Sequence, residues 1–333
     1  MKTIVIAEIG VNHGGDPETG RRMITAAREA GADYVKFQTF KAERLVCRSA
    51  RRAEYQERNC GGSESQFEML RRLELSEEQF AELADECSRQ GIGFLSSPFD
   101  IESVALLSHF NMDYWKIPSG EITNLPLLEA VGAQRGRVIL STGMSTIDEV
   151  EAAVRILEQA GTPRKEIILL HCNTQYPTPA EDVNLRAMES LATLGCGSVG
   201  FSDHTIGTAV PVAAAALGAS VIEKHFTLDK NEAGPDHRAS ADPEEFASMV
   251  RDIRIVGQAL GSPEKHVTDS ESGNVEVARK SIVASRPIRK GEPLTPENLT
   301  TKRPGNGMSP MMWHQIMNRP APRDFSADEP ISF

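Results

Sequence analysis

The strongest constraint on the fold is the regular alternation of short apolar runs with longer segments of helical period. Eight runs rich in β-branched and apolar residues recur, and a helical segment follows each of them. The runs span residues 3–9, 34–37, 93–96, 114–117, 138–141, 167–171, 198–202 and 221–225. Strands that alternate with helices form parallel sheets. Eight such units within about 260 residues predict a (β/α)8 TIM barrel.

Signals at the ends of the helical segments support this prediction. The segments span residues 18–30, 76–90, 101–110, 125–133, 147–160, 185–194, 208–217 and 243–260. Asp16, Ser76 and Asp242 stand where a helix N-cap is needed, and Gly31 and Gly91 follow helix ends. No G-x-G-x-x-G motif separates the first run from its helix, which argues against a dinucleotide-binding sheet.

Two parts of the chain depart from the repeating pattern. Residues 40–75 form a long, polar connection, which we interpret as a functional lid or an ordered insertion. We place the barrel at 1–262, a polar linker at 263–274 and a small module at 275–333. In the module, the sequence predicts a strand at 281–285, a capped start at 295–299 and a loop at 302–307. Because so few residues bury little core, we expect the module to dock on its own barrel or on another subunit's.

Composition excludes several classes of partner. The chain has 36 Lys and Arg against 47 Asp and Glu, a formal net charge of −11, so bulk electrostatics do not favour nucleic acid or an anionic membrane. The longest apolar stretch, 209–222, is shorter than the roughly 20 residues of a membrane span. We see no signal-peptide pattern, and the five scattered cysteines fit neither a disulfide framework nor a zinc knuckle. We therefore expect a cytoplasmic protein without nucleic-acid or membrane partners.

The carboxyl ends of all eight predicted strands carry polar side chains, and in TIM barrels these ends form the active-site rim. In chain order the residues are Glu8; Lys36 and Gln38; Ser96 and Ser97; Lys116, Ser119 and Glu121; Ser141 and Thr142; His171, Cys172, Asn173, Thr174 and Tyr176; Ser202, Asp203 and His204; Glu223, Lys224 and His225. Each one alone has a structural explanation, as a helix cap or a member of a buried ion pair. Together they predict an active site at the rim.

Two histidines are candidate metal ligands. His204 and His225 end neighbouring strands, which lie about 4.8 Å apart in a sheet. Two such imidazoles either hold one divalent ion, with open positions for water and substrate, or are hydrogen-bonded core residues. An open site of this kind suits Mn²⁺, Mg²⁺ or Co²⁺ better than a structural zinc.

Three cations are candidates for binding an anionic substrate. Lys36, Lys116 and Arg303, with nearby hydroxyls and the backbone N–H groups of a helix start, are able to hold a phosphate and a carboxylate. The alternative is that each cation pairs with Glu8 or Glu121 and has only a structural role.

Motifs along nearly the whole chain occur in a fixed order. They are AEIGVNHGGD (7–16), VKFQTFKAE (35–43), SQFEMLRRLELS (65–76), SSPFD (96–100), WKIPSGEITNLPLL (115–128), ILSTGMST (139–146), HCNTQYPTP (171–179), GFSDHT (200–205), IEKHFTLD (222–229), GPDHRAS (234–240) and KRPGNG (302–307). In this order they resemble the sialic acid synthase family, which comprises N-acetylneuraminate synthases and related nonulosonate synthases.

The resemblance implies a (β/α)8 barrel followed by a C-terminal antifreeze-like (SAF) domain. It also implies a homodimer in which the swapped small domain closes the partner's active site. The implied reaction condenses phosphoenolpyruvate with N-acetylmannosamine and water to give N-acetylneuraminate (sialic acid) and phosphate. The implied cofactor is a divalent metal on His204 and His225, Mn²⁺ in the first place and Mg²⁺ or Co²⁺ as alternatives.

The resemblance also assigns substrate contacts. Positions that match phosphoenolpyruvate-binding residues are Lys36, Lys116, Ser119, Ser141 and Ser202. Further pocket positions are Gln38, Ser97 and Phe99, and the sugar-side positions are Tyr176, Asp236 and, from the partner subunit, Arg303. At Thr174 some family members have Asn, and Asn59 matches a pocket position within the variable insertion.

The residue types fit this chemistry. Lys116 and Lys36 neutralise the phosphate and carboxylate of phosphoenolpyruvate, and a metal polarises the aldehyde oxygen that gains negative charge. Glu121 is our main candidate for proton transfer, and Glu8 is able to share that role. The sequence does not separate the two carboxylates.

Several alternatives stay open at this point. In our main interpretation the acceptor sugar is N-acetylmannosamine. The alternative is a 2,4-diacetamido-2,4,6-trideoxyhexose that leads to legionaminic acid or to pseudaminic acid. The GPDHRAS string fits the pseudaminic acid branch less well. Outside the family, the barrel is a Schiff-base aldolase with Lys36 or Lys116 as nucleophile. In a non-catalytic alternative the terminal module binds ice or glycans and the barrel is a scaffold, but this leaves the polar strand ends unexplained.

Overall fold

A computed structural model describes residues 2–53, 56, 57, 59 and 64–333, which divide into two compact units, Met1–Gly261 and Ser262–Phe333. The first unit is the predicted TIM barrel. Its strands are β1 (Ile4–Gly10), β2 (Tyr34–Thr39), β3 (Gly93–Pro98), β4 (Trp115–Ile117), β5 (Val138–Ser141), β6 (Ile167–Cys172), β7 (Ser198–Asp203) and β8 (Val221–His225). They form one parallel sheet in the order β3-β2-β1-β8-β7-β6-β5-β4, and β3 lies beside β4. All eight predicted strands are therefore confirmed.

Helices cover the outside of this sheet, close to where the sequence predicts them. They are α1 (Pro17–Glu29), α4 (Glu77–Gln90), α5 (Ile101–Leu107), α6 (Leu125–Gly132), α7 (Ile147–Ala160), α8 (Ala187–Ala192), α9 (Ala209–Ala216) and α10 (Pro243–Ala259), with α2 and α3 given below. The Asp16, Ser76 and Asp242 side chains accept backbone N–H bonds at helix starts, as predicted. Gly91 ends α4 in the left-handed region at φ 70°.

The alternation of side chains along each strand separates two interiors. One set of apolar residues, such as Val5, Ala7 and Ile9, packs between the sheet and the helices. The alternate set points into the barrel and begins with an apolar layer of Ile6, Leu95, Tyr114, Ile139, Ile168, Leu170 and Val221. On most of these strands the next inward-facing residue, two positions closer to the carboxyl end, is polar, as Glu8 is after Ile6. This switch from apolar to polar positions the candidate site at the carboxyl end of the barrel.

The described part of the insertion at 40–75 includes two helices that the sequence did not predict. They are α2 (Ala42–Leu45) and α3 (Gln66–Leu73). A capping box starts α3, because Ser65 caps the Glu68 N–H while the Glu68 carboxylate accepts the Ser65 N–H at 2.9 Å. Apolar residues of this segment, including Phe40, Phe67 and Leu70, form a small core with Val11. The described part of the insertion is therefore ordered, and its role as a lid stays a prediction.

The second unit, residues 262–333, is built around a short antiparallel pair. Its elements are α11 (Asp269–Ala278), β9 (Ser281–Ala284), β10 (Leu299–Lys302) and α12 (Trp313–Ile316). Its core includes Ile282, Leu294, Leu299, Phe325 and Ile331.

Two expectations for this unit differ from the structure. The predicted linker at 263–274 is partly helical, since α11 begins at Asp269. Thr268 precedes this helix as its N-cap and donates its N–H to the Glu271 carboxylate at 3.2 Å. The predicted capped start at Thr295 is a turn leading into β10. There the Thr295 N–H donates to Oδ1 of Asn298 at 2.7 Å, and this buried asparagine closes the turn.

No described helix combines the length and the apolar composition needed to cross a bilayer. Cys47, Cys87, Cys172 and Cys196 are free thiols, and Cys60 lies outside the described residues.

Candidate active site

A cavity of about 230 Å³ opens at the carboxyl ends of the strands. Its lining includes every site residue that the resemblance assigned to the barrel except Glu121 and Asn59. These residues are Glu8, Lys36, Gln38, Ser97, Phe99, Lys116, Ser119, Ser141, Thr174, Tyr176, Ser202, His204, His225 and Asp236. The sequence prediction thus identified side chains that are far apart in the chain and share one cavity.

Two lysines and two glutamates form a buried layer at the base of the cavity. Nζ of Lys36 lies 2.5 Å from Oε2 of Glu8, its register partner on β1. Glu223 stands between the lysines, with its carboxylate oxygens 3.7 Å from Nζ of Lys116 and 3.9 Å from Nζ of Lys36. All four residues are at most 5% exposed. With all four groups ionised, the layer has no net charge.

Serine hydroxyls complete the polar contacts of this layer. Lys36 donates to Oγ of Ser97 at 3.2 Å, and Lys116 donates to Oγ of Ser141 at 2.7 Å. Ser202 donates to Oε1 of Glu223 at 3.0 Å. Each charged group is therefore held by strand residues, which fixes ammonium and hydroxyl donors before any ligand arrives.

The electrostatics of the layer favour the charged form at Lys36 and Glu223 and the neutral form at Lys116 and Glu8. Burial alone lowers the pKa of Lys36, but Glu223 and Glu8 more than offset it, and the pKa is raised. Burial raises the pKa of Glu223, but the two lysines pull it below its ordinary value. The pKa of Lys116 is lowered by burial and that of Glu8 is raised by burial. Lys116 and Glu8 are thus the members that most readily exchange protons.

The two predicted metal ligands lie side by side above this layer. The ring centroids of His204 and His225 are 5.4 Å apart, and the Tyr176 ring stacks on His204 with centroids 4.1 Å apart. Nδ1 of His204 contacts the Asn173 carbonyl and Nε2 lies 3.0 Å from the Tyr176 hydroxyl. Nδ1 of His225 is buried with no hydrogen-bond partner among the described residues.

This donor set fits a weakly held divalent ion. Burial lowers the pKa of His204 to about 4 and that of His225 well below its usual range, so both imidazoles are neutral near pH 7. Neutral imidazoles bind metals, and a carbonyl on Nδ1 of His204 puts the lone pair on Nε2, where the Tyr176 hydroxyl lies 3.0 Å away. In the described part of the chain, no group of three or more His, Cys, Asp and Glu residues forms a metal site. Coordination positions beyond two imidazoles would thus belong to water and substrate.

Asp236, in the loop after β8, lies beside His225. Its Oδ2 is 4.0 Å from Nδ1 of His225, and burial together with the nearby Glu8 raises its pKa to about 7. A side-chain bridge that the sequence analysis missed holds this loop: Nδ2 of Asn12 donates to Oγ of Ser240, which donates to the Asp236 carbonyl at 2.8 Å. The NHGG motif after β1 thereby supports the cavity wall.

Ser119 and Thr174 line a crowded side of the cavity. Oγ of Ser119 accepts the Gly143 N–H at 3.0 Å and lies 3.1 Å from Sγ of Cys172. A Cβ atom on Gly143 would lie 2.7 Å from the Thr174 side chain, so only glycine fits here without movement. Cys172, which belongs to the polar end of β6 but was given no role from the sequence, also lines the cavity.

Three predicted residues have other positions. Glu121 does not line the cavity, and its carboxylate accepts a bond from Nδ2 of Asn124 at 2.6 Å. Arg303 belongs to the second unit, where it donates to the Ala278 carbonyl at 2.9 Å. Asn59 donates to the carbonyl of Pro235, which is a lining residue, at 2.7 Å.

Two features of the cavity lining, the role of Glu223 and the apolar wall, were not predicted from the sequence. Glu223 was noted as a polar strand end but received no role, although strand alternation places it on the same side as His225. The apolar wall consists of Val11 together with Met69, Leu70 and Leu73 of α3. The capping box at Ser65, followed by apolar residues at steps of three (Phe67, Leu70 and Leu73), was a signal for that helix.

Comparisons with known proteins agree with this architecture. Residues 23–265 match the NeuB family, and residues 279–333 match the SAF domain. An N,N'-diacetyllegionaminic acid synthase of Campylobacter jejuni is 46% identical over 330 residues, which cover 99% of each chain. The human N-acetylneuraminate-9-phosphate synthase is 39% identical over 90% of this chain and 82% of its own.

A crystal structure of the N-acetylneuraminic acid (sialic acid) synthetase from Leptospira borgpetersenii serovar Hardjo-bovis, in complex with citrate, also resembles this fold. It aligns with a TM-score of 0.72 and 33% identity, covering 83% of this chain and 91% of that one. The chain therefore belongs to the NeuB family of sialic acid and related nonulosonate synthases, as its motifs predict.

Proposed function

We propose that this enzyme condenses phosphoenolpyruvate with a 2,4-diacetamido-2,4,6-trideoxyhexose and water, releasing phosphate and a legionaminic-type nonulosonate. The observation that carries the proposal is the buried layer of two ammonium groups and their serine partners, directly below two neutral imidazoles. That arrangement offers one cavity to a small dianion and to a carbonyl oxygen that gains negative charge.

The choice of acceptor reverses the expectation from sequence, which favoured N-acetylmannosamine. The legionaminic acid synthase of C. jejuni is 46% identical to this chain, against 39% for the human N-acetylneuraminate-9-phosphate synthase. The apolar wall formed by Val11, Met69, Leu70 and Leu73 supports the same choice. An apolar wall suits the methyl group of a 6-deoxy sugar, whereas a hydroxyl placed against it would lose its hydrogen bonds to water.

Lys36 and Lys116 would bind the anionic groups of phosphoenolpyruvate. Both are nearly fully buried, so a phosphate or carboxylate beside them interacts through a medium that screens poorly. The hydroxyls of Ser97 and Ser141, already bonded to the two ammonium groups, would orient the same oxygens. The strands thus hold the nucleophilic molecule in one pose.

His204 and His225 would hold a divalent ion, Mn²⁺ in the first place and Mg²⁺ or Co²⁺ as alternatives. When bound, such an ion supplies Lewis acidity toward the aldehyde oxygen of the acceptor. The Tyr176 hydroxyl, 3.0 Å from Nε2 of His204, would then bond to the sugar or to water. Asp236, whose Oδ2 lies 4.0 Å from Nδ1 of His225, would also contact the acceptor.

Glu8 is the carboxylate that we favour for proton transfer. It lines the cavity and burial raises its pKa, so a proton exchanges there closer to neutral pH than on an exposed glutamate. Glu121, the main candidate from sequence, accepts a bond from Asn124 outside the cavity lining. Its role as the main proton-transfer group stays a prediction.

We also propose a homodimer in which the second unit of one subunit brings Arg303 to the acceptor end of the partner's cavity. Support comes from the SAF match at 279–333 and from the exposed position of Arg303 in its own unit. A cation arriving there would bind the acceptor and exclude water from the cavity.

Turnover of three acceptors with phosphoenolpyruvate tests the proposal. We expect phosphate release to be fastest with the diacetamido-trideoxymannose, slower with N-acetylmannosamine and slowest with the altrose isomer. Loss of activity in EDTA and its return with Mn²⁺ would support the metal. A preference for N-acetylmannosamine would refute the proposed acceptor while leaving the reaction intact.

One observation favours a second candidate reaction. The lowered pKa of Lys116 is a property of Schiff-base lysines. Borohydride reduction in the presence of pyruvate distinguishes the two reactions, because it would trap a covalent adduct on Lys116 only in an aldolase.

A further inference from the structure

A buried ion pair lies in the barrel wall next to the two histidines. Nζ of Lys224 is 2.5 Å from Oδ2 of Asp203, and the side chains are 1% and 0% exposed. The two residues are register partners on β8 and β7. Neither lines the cavity. The pair is therefore not in a position to touch the substrates bound there.

The place of this pair in the sequence links it to the imidazoles. Asp203 immediately precedes His204, and Lys224 immediately precedes His225. Because successive strand residues point to opposite faces, Lys224 projects to the outside of the wall while His225 projects into the cavity. The ion pair thus joins the two strand ends from behind, one residue away from each imidazole.

Three further bonds fix the turn that carries His204. Oδ1 of Asp203 accepts the Thr205 N–H at 3.1 Å and the Thr205 hydroxyl at 2.8 Å. Lys224 also donates to the Thr205 carbonyl at 2.8 Å. The residues on both sides of His204 are therefore tied to the strand that carries His225.

We propose that Asp203 and Lys224 are positioning residues that set the distance and orientation between the two imidazoles. This inference rests on the proposed metal site. A buried ion pair contributes little net stability compared with well-packed apolar residues, so stability alone is a poor reason to place one here. Its directional bonds do what an apolar pair cannot, because they fix the turn at Thr205 in one register against β8.

A double variant separates positioning from stability. Lys224→Met alone leaves a buried, unpaired carboxylate, which destabilises the fold. Asp203→Asn combined with Lys224→Met removes both charges and restores much of that stability, but it does not restore the bond from residue 224 to the Thr205 carbonyl. We expect this double variant to be folded and still deficient in metal binding.

Titration of the metal-free full-length protein with Mn²⁺, by calorimetry at 20 °C, provides a readout besides turnover. The double variant should bind Mn²⁺ at least tenfold more weakly than the original protein. Thr205→Val, which removes only the hydroxyl bond to Asp203, should weaken binding a few-fold and guards against failure of the double variant to fold. The control is Arg254→Met, which breaks another partly buried ion pair, near the amino ends of the strands. In that pair Nη2 of Arg254 lies 2.6 Å from Oδ2 of Asp33. The control variant should change Mn²⁺ affinity less than twofold.

The outcomes separate this inference from the proposed function. If the original protein binds no Mn²⁺, the metal proposal fails and the positioning inference fails with it. If the original protein binds Mn²⁺ and the folded double variant binds it within twofold, only the positioning inference is overturned. Equal weakening by Arg254→Met would also overturn it, because the effect would then follow general stability.

Discussion

Glu223→Gln tests the charge balance of the buried layer most directly. Glu223 is 5% exposed, and its carboxylate lies 3.7 Å from Nζ of Lys116 and 3.9 Å from Nζ of Lys36. At an effective dielectric constant of about 20, each attraction is worth roughly 4 kcal/mol. Glutamine keeps the size of the side chain and can still accept the Ser202 bond, but it leaves the layer with two cations and one anion.

We expect Glu223→Gln to lower the free energy of unfolding by about 3–5 kcal/mol. This is the usual cost of removing one partner from a buried pair, since part of the lost attraction is recovered when the lysines reorient or lose a proton. The deficit should shrink when an anion binds, because phosphate or phosphoenolpyruvate replaces the missing negative charge. Millimolar phosphate should therefore stabilise the variant more than it stabilises the original protein.

Urea unfolding followed by far-UV circular dichroism, with and without phosphate, measures both effects. The control is Glu129→Gln on the exposed face of α6, which should change stability by less than about 0.5 kcal/mol. If Glu223→Gln costs less than 1 kcal/mol, or if phosphate stabilises both proteins equally, the lysines do not depend on Glu223 and the reasoning is wrong.

Four further predictions use simpler measurements. Burial lowers the pKa of His13 to about 4, so the stability that its neutral ring contributes above pH 6.5 is lost as the pH falls to 4. His13→Asn should reduce the loss of unfolding free energy between pH 7 and pH 4.5 by about 2 kcal/mol in urea titrations. An unchanged loss of unfolding free energy between the two pH values would contradict this. A Cβ atom at Gly200 would lie 2.5 Å from the Val221 carbonyl oxygen, so Gly200→Ala should cost about 1–3 kcal/mol in thermal unfolding, and a neutral effect would argue against the tight β7–β8 contact. His225→Ala should abolish condensation with the fold intact by circular dichroism, and substantial turnover would count against the metal. Arg303→Ala should raise the acceptor KM more than it lowers kcat, and an unchanged KM would argue against a sugar contact.

The sequence predicted the barrel well because its determinants are local. Each strand is a short run of β-branched and apolar residues, and caps such as Asp16 and Ser76 bond within their own helix. The second unit depends more on contacts between distant residues. β9 and β10 pair across a connection in which Asn298 closes a turn, and a Thr-Pro-Glu string resembles a helix start equally well. Local signals could not decide between those two structures.

The site was predicted to the extent that strand alternation determines it. Lys36 and Gln38, like Glu223 and His225, are two residues apart and so reach the same side of their strands. Glu121 lies beyond the end of β4 in a 3-10 turn, where no period of two applies, and its carboxylate bonds to Asn124. The apolar wall from α3 was missed because it comes from an insertion and not from the repeating pattern.

The buried layer links the stability of this barrel to its proposed chemistry. Two lysines in a barrel interior would oppose folding if they stood alone, so Glu8 and Glu223 are needed while no anion is bound. In the proposed reaction, an arriving dianion would compete with those carboxylates for the same ammonium groups. Its negative charge raises the pKa of the carboxylate that it displaces, and Glu8 begins with a raised pKa. Glu8 would then both stabilise the barrel through Lys36 and take up a proton more readily when the dianion binds, which is the property required of a proton-transfer residue in the proposed condensation.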